Sequence, residues 1–220
     1  MDEEDALRSQ ALRTTRWHEN DRSAVKSLRK AVAVLNAVAR AERPLTMAEL
    51  AARAGIARPT AYRLVQTLTG EGHLVHDPVD GRLSIGFAVL PLAASLLDRN
   101  RLRLEALPHL HALAQQTGER ANLGILHREQ VLYLAGVEKP SLPTIYSRFG
   151  KTAPAHCSSL GKAVLAYLPD AQLMPLLEAQ PLAAPTPASI ADIPKLLADL
   201  EETRRRGYAI DRQENVPGSF

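Results

Sequence analysis

Residues 45–86 read LTMAELAARAGIARPTAYRLVQTLTGEGHLVHDPVDGRLSIG, and the order of the breaks in this stretch decides the fold. Thr46 stands just before Met47, Leu50, Ala51 and Ala54, apolar residues at helical spacing. Glu49 follows Thr46 by three residues, the spacing of a capping box. Gly55 is the stop that a helix end favours. Three residues separate it from Pro59, a residue suited to the first turn of a new helix. Ala61, Leu64, Val65 and Leu68 form the inner face of that helix, and residues 70–72 close it. Two short strands, Leu74 to His76 and Arg82 to Ile85, flank a turn containing Asp80-Gly81, a hairpin signal. Helix, short turn, helix and hairpin make a winged helix-turn-helix, in which one helix is held for insertion into the major groove of double-stranded DNA.

Outward from this core, Val25, Leu28, Val32, Leu35, Val38 and Ala39 predict a preceding helix from Ser23, broken by residues 41–44. The winged unit therefore spans residues 23–86. Residues 1–22 alternate charges without an apolar stripe and read as a mobile arm. Residues 87–98 are helical and apolar at Val89, Leu90, Ala93, Leu96 and Leu97, and read as a linker helix. The remainder, residues 99–220, begins with a helix from about Leu102 to Thr117, in which Pro108 implies a kink or a late start. Strands follow over Ala121 to His127, Gln130 to Val137 and Ile145 to Phe149. Ser159 to Leu168, Ala171 to Ala179 and Ile193 to Arg205 read as helices, and Tyr208 to Asp211 as the start of a strand. The fold class is α+β.

The charge is uneven. Residues 22–82 carry ten Lys or Arg against five acids, a net +5, which leaves −2 on the rest of the chain. A basic head on a near-neutral body suits a polyanion partner. The outer face of the third helix presents Arg58, Thr60, Tyr62, Arg63, Gln66 and Thr67, with no acid among them. Arg63 can bond both acceptors of a guanine and Gln66 both edge groups of an adenine. Thr46 at a helix start and Arg82 in the wing are candidates for the DNA backbone. Affinity should then be salt-dependent and the protein a sequence-specific transcriptional regulator, read as a repressor.

Other classes fit less well. Cys157 is the sole cysteine, so no disulfide forms within one chain, as suits a reducing cytosol. No apolar run approaches the roughly 20 residues of a bilayer span, and the acidic N-terminus is unlike a signal peptide. The expectation is a cytoplasmic protein with no membrane contact. His156 and Cys157 adjoin, but adjacent residues seldom hold the geometry of a catalytic pair. The seven histidines are scattered and no cysteine cluster accompanies them, so no metal or other cofactor is expected, and no enzyme.

Three motifs then point to one family. The run SLRKAVAVLNAVARAERPLTMAELAARAGIARPTAYRLVQTLTGEGHLVHDPVDGRLSIG, residues 27–86, resembles the DNA-binding domain of IclR-type bacterial transcription regulators. RFGKTAPAHCSSLGKAVLAYL (148–168) and RRRGYAIDRQENVPG (204–218) resemble two segments of their effector-binding half. The resemblance implies a GAF-like domain, an antiparallel sheet with flanking helices, that binds a small organic acid or aromatic metabolite. It implies homodimers or dimers of dimers, with residues 87–98 helping to dimerise. Carried onto matching positions, the effector contacts would be Ser158, Ser159, Leu160, Gly161 and Asp211. A helix N-terminus with free amides is a reasonable cradle for a carboxylate. Gly161 and Lys162 also admit a plainer reading, as helix packing and a surface charge. The chain ends at Phe220, before the strands that such regulators continue with, so the resemblance implies a partial sheet in a C-terminally shortened member or a fragment. A DNA-binding protein that has lost effector sensing is the alternative.

Overall fold

The computed structural model of the chain describes residues 25–138 and 150–218. The expected arm at 1–22 and the expected strand from Ile145 to Phe149 lie outside the described residues. Two compact units divide between Arg99 and Asn100.

The first unit contains α1 (Lys26–Ala39), α2 (Met47–Ala54), α3 (Arg58–Gly70), the strands β1 (Leu74–His76) and β2 (Leu83–Ile85), and α4 (Val89–Asp98). Its core is Val34, Val38, Leu45, Leu50, Val65, Leu74 and Leu83, all buried. α2 starts where the sequence places it. Thr46 Oγ1 accepts from the Glu49 amide, and the Glu49 carboxylate accepts from the Thr46 amide at 2.8 Å. Gly55 ends the helix in the left-handed region at φ +64°, where a Cβ would be strained. Pro59 occupies the first turn of α3. β1 and β2 pair antiparallel with His76 opposite Leu83. The loop between them is longer than a two-residue turn, because the Asp77 amide closes it by donating to the Arg82 carbonyl at 2.8 Å. Leu45 joins the hairpin by exchanging backbone bonds with Leu83 at 3.0 and 2.7 Å. The wing is thus fastened to the segment that leads into α2.

The apolar face expected for α1 needs correction. Val34 and Val38 are buried, while Val25, Leu28 and Val32 are exposed. Only the second half of α1 has the core beneath it, so its first turns keep their apolar side chains uncovered.

In the second unit α5 (Arg101–Thr117) is capped by Asn100, whose Oδ1 accepts from the Arg103 amide at 2.8 Å. The helix runs through Pro108, so the late start is excluded. β3 (Ala121–His127), β4 (Gln130–Val137) and β5 (Thr152–Pro154) form an antiparallel sheet in the order β3-β4-β5, with an irregularity between Leu123 and Gly124. A 3-10 turn (Ala155–Cys157) leads into α6 (Ser159–Leu165), followed by α7 (Asp170–Glu178) and α8 (Ile193–Arg206). Leu126, Val131, Tyr133, Leu165, Leu173, Leu177, Leu196 and Leu200 share one core; Leu110 and Ala114 of α5 share another with Ala121 and Ala135. The architecture is α+β. Residues 208–211 are not a strand. Local polar bonds win there: Asp211 Oδ1 accepts from the Glu214 amide at 2.8 Å, and Thr186 and Ser189 donate to the carbonyls of Gln213 and Glu214 at 2.7 and 2.6 Å.

Candidate functional site

α3 is held from behind by Ala61 and Val65, both buried. With 3.6 residues per turn, that leaves Arg58, Tyr62, Arg63, Gln66 and Thr67 exposed on the opposite side, and Thr60 half-buried at the margin. The side chains of Arg58, Arg63 and Gln66 make no hydrogen bond among the described residues, so their donors are available to a partner. Thr67 differs, because its hydroxyl donates to the Arg63 carbonyl at 3.1 Å.

The two candidates off this helix are engaged with the protein itself. Thr46 spends its amide and hydroxyl on Glu49, at 2.8 and 2.9 Å. Arg82 donates to the Pro44 carbonyl at 3.1 Å, with Asp80 at 3.4 Å and Glu49 at 4.0 Å. Arg43 donates to Glu49 Oε1 at 2.5 Å. Held by Arg43 first, and then by the amide and hydroxyl of Thr46, the Glu49 carboxyl is lowered to about 2. These contacts fix α2 and the wing root, and thereby the pose of α3.

The five expected effector residues gather at the start of α6 and the turn that precedes the chain's last described residues. Ser158 is buried, and its Oγ accepts from the Gly161 amide at 3.2 Å. Ser159 is exposed and Leu160 half-buried. Gly161 is required by close approach: a Cβ there would lie 2.2 Å from the Ala155 carbonyl oxygen. Asp211 is buried and occupied by the Glu214 amide. None of the five lines either of two cavities in this unit, which border the 3-10 turn and α7 instead.

For Lys162 the plainer of the two readings, a surface charge, does not hold. The residue is 1% exposed, and its Nζ lies 2.6 Å from Glu214 Oε1 and 2.9 Å from Asp199 Oδ2. The Asp199 contact is close but poorly directed, since that oxygen has no aligned hydrogen bond. Sequence reasoning missed Glu214. The signal for Lys162 was present: it precedes Leu165 and Ala166 by three and four residues, which puts it on the buried side of α6. Together Lys162, Asp199, Asp211 and Glu214 set one cation against three carboxyl groups.

Next to this cluster, Cys157 is fully buried, and burial pushes its thiol up to about 11. A thiol held protonated is a poor nucleophile. The adjacent His156 Nε2 and the Cys157 thiol both turn to the Ala183 carbonyl, at 2.8 and 3.6 Å, and no bond joins them to each other. Among the described residues no group of three His, Cys, Asp or Glu could hold a metal ion, and no helix is long and apolar enough to cross a membrane.

Comparison with known proteins is consistent across the chain. Residues 27–78 match the IclR helix-turn-helix domain, and residues 94–219 match the bacterial transcriptional regulator IclR C-terminal domain. The transcriptional repressor IclR of Escherichia coli is 30% identical over 196 residues, covering 88% of this chain and 72% of the relative. An IclR transcriptional regulator from Alicyclobacillus acidocaldarius has a similar structure, with TM-score 0.75 and 33% identity over 89% of this chain and 79% of that one. So does an IclR homolog from Microbacterium hydrocarbonoxydans complexed with 4-hydroxybenzoate, with TM-score 0.66 and 27% identity over 84% of this chain and 76% of that one.

Proposed function

The chain belongs to the IclR family of DNA-binding bacterial transcriptional regulators, and on that premise we propose that it is a repressor that binds its operator as a homodimer and responds to a small organic acid. The observation that carries the DNA-reading part is the outer face of α3: exposed, free of acids, and with Arg63 and Gln66 unengaged. These two side chains read base edges, Arg58 and Tyr62 contact the adjoining backbone, Thr60 packs at the helix margin, and Thr67 flanks the reading face with its hydroxyl on the Arg63 carbonyl. Thr46 and Arg82 act through the cap and the wing root they hold.

The dimer reading is supported by uncovered apolar side chains. α4 buries none of its residues, and Phe87, Leu90, Leu92 and Leu96 are exposed, as are Leu28 and Val32 of α1. A second copy covering them would present two recognition helices to successive major-groove faces of a pseudo-palindromic site. Repression follows the character of the Escherichia coli relative. The organic-acid reading is supported by the relative that holds 4-hydroxybenzoate, and by the amides of Ser159 and Leu160 at the start of α6, which take no acceptor among the described residues.

The test of base reading is Arg63→Ala, assayed on operator fragments selected from genomic DNA. It should relax preference at one base pair by roughly 1–3 kcal/mol and leave the fold intact. An unchanged preference would remove Arg63 from the reading set.

One observation favours a second reading, a DNA-binding protein without effector response. Ser158 Oγ and Asp211 Oδ1 already accept from backbone amides of the chain, and the one lysine there is held by the carboxyl groups of Asp199 and Glu214. Operator affinity that is indifferent to organic acids would decide for it.

A further inference from the structure

A cavity of about 150 Å³ opens beside the 3-10 turn Ala155–Cys157, away from the residues expected to hold an effector. Leu165, Leu176, Leu177 and Leu182 supply apolar wall, and Glu129, Gln130, His156 and Gln180 supply polar groups. A leucine-lined space of this size holds a single aromatic ring. No lysine or arginine lines it, and Glu129 does, so a full negative charge on the ligand would meet repulsion with no cation to offset it.

His156 fixes what the ligand must donate. It is 6% exposed, and its Nε2 faces the Ala183 carbonyl oxygen at 2.8 Å. A carbonyl only accepts, so Nε2 carries the proton, and in the neutral ring Nδ1 is then an acceptor. Nδ1 has no hydrogen-bond partner among the described residues. We propose that this cavity is a second small-molecule site, for a neutral single-ring compound bearing one hydroxyl, a phenol in its simplest form, whose O–H donates to His156 Nδ1. The site is independent of any organic-acid site at Ser158 and Asp211, and differs from it in the charge it accepts. It shares a wall with that region, because Ala155 lines the cavity and its backbone packs on Gly161.

The experiment titrates the full chain with phenol, toluene and benzoate, followed by NMR of leucine methyls and of the histidine ring nitrogens. Phenol should shift the methyls of Leu176 and Leu182 and the Nδ1 signal of His156. Benzoate should leave all three in place. Leu182→Trp, which fills the cavity, should abolish the phenol shifts. His156→Phe should weaken phenol about tenfold, the worth of one hydrogen bond, and leave toluene unchanged. If His156→Phe does not fold, the Nδ1 shift in the unaltered chain tests the same bond. Benzoate binding here as tightly as phenol, phenol shifts that survive Leu182→Trp, or an unmoved Nδ1 with phenol bound would overturn the proposal.

Discussion

Lysine is among the costliest side chains to take out of water, and Lys162 is accepted in the interior because its ammonium meets Glu214 and Asp199 at 2.6 and 2.9 Å. The arrangement ties α6 to α8 and to the turn at residues 211–214. Removing Lys162 leaves the Glu214 carboxylate, 3% exposed, buried without compensation. Lys162→Met should therefore destabilise the second unit by about 3–5 kcal/mol, whereas the pair Lys162→Met with Glu214→Leu should recover much of that loss. Urea unfolding followed by circular dichroism measures both, and a double variant no more stable than the single one would mean that the ion pair is not what holds these segments. At this scale the sequence was half legible. The helical position of Lys162 is readable from Leu165 and Ala166, but Glu214 lies 52 positions away. No local pattern announces a partner at that distance. Gly161 was legible in type and not in cause, since its need comes from the Ala155 carbonyl pressed against it.

Among the elements, α2 shows how a local pattern becomes geometry. Its capping box is written in Thr46 and Glu49, and the Glu49 carboxyl is lowered first by the Arg43 guanidinium and then by the amide and hydroxyl of Thr46. That carboxyl has a folded value of about 2 against an ordinary 4.5. A depressed carboxyl contributes stability that is present above its unfolded value and is lost as pH falls through the folded one. The cap's contribution to the first unit should accordingly fade between pH 4.5 and about 2. Glu49→Gln should remove that part of the acid dependence, which thermal unfolding of the two proteins across this range would show. Parallel acid profiles for the two would assign the dependence elsewhere. The other elements of the head were legible for the same local reasons, Gly55 and Pro59 among them. The face of α1 was not, because Leu28 and Val34 both satisfy a helical period and only the core beneath Val34 and Val38 selects between them. Residues 208–211 misled in the opposite direction: a strand-like composition yields to the Asp211 and Glu214 turn, whose partners Thr186 and Ser189 belong to a distant loop.

For the whole molecule, charge separation gives a prediction that neither residues nor elements supply. The basic excess lies in the head, +5 over residues 22–82, and the rest of the chain carries −2. Phosphate contacts, and with them the salt dependence of DNA binding, should come from heads alone. The head has a closed core of its own, from Val34 to Leu83, and a fragment of residues 17–88 omits the apolar α4 and should fold as a monomer. On duplex DNA the slope of log affinity against log salt scales with the number of phosphates neutralised, about −0.9 for each. If two copies of the chain bind together, the intact protein brings two heads and its slope should be about twice that of the fragment. The second unit has no comparable basic excess to supply the difference, since residues 100–220 carry a net charge of only +1. Equal slopes, with light scattering showing the fragment monomeric, would mean that one head at a time engages DNA and would count against the dimeric mode of binding.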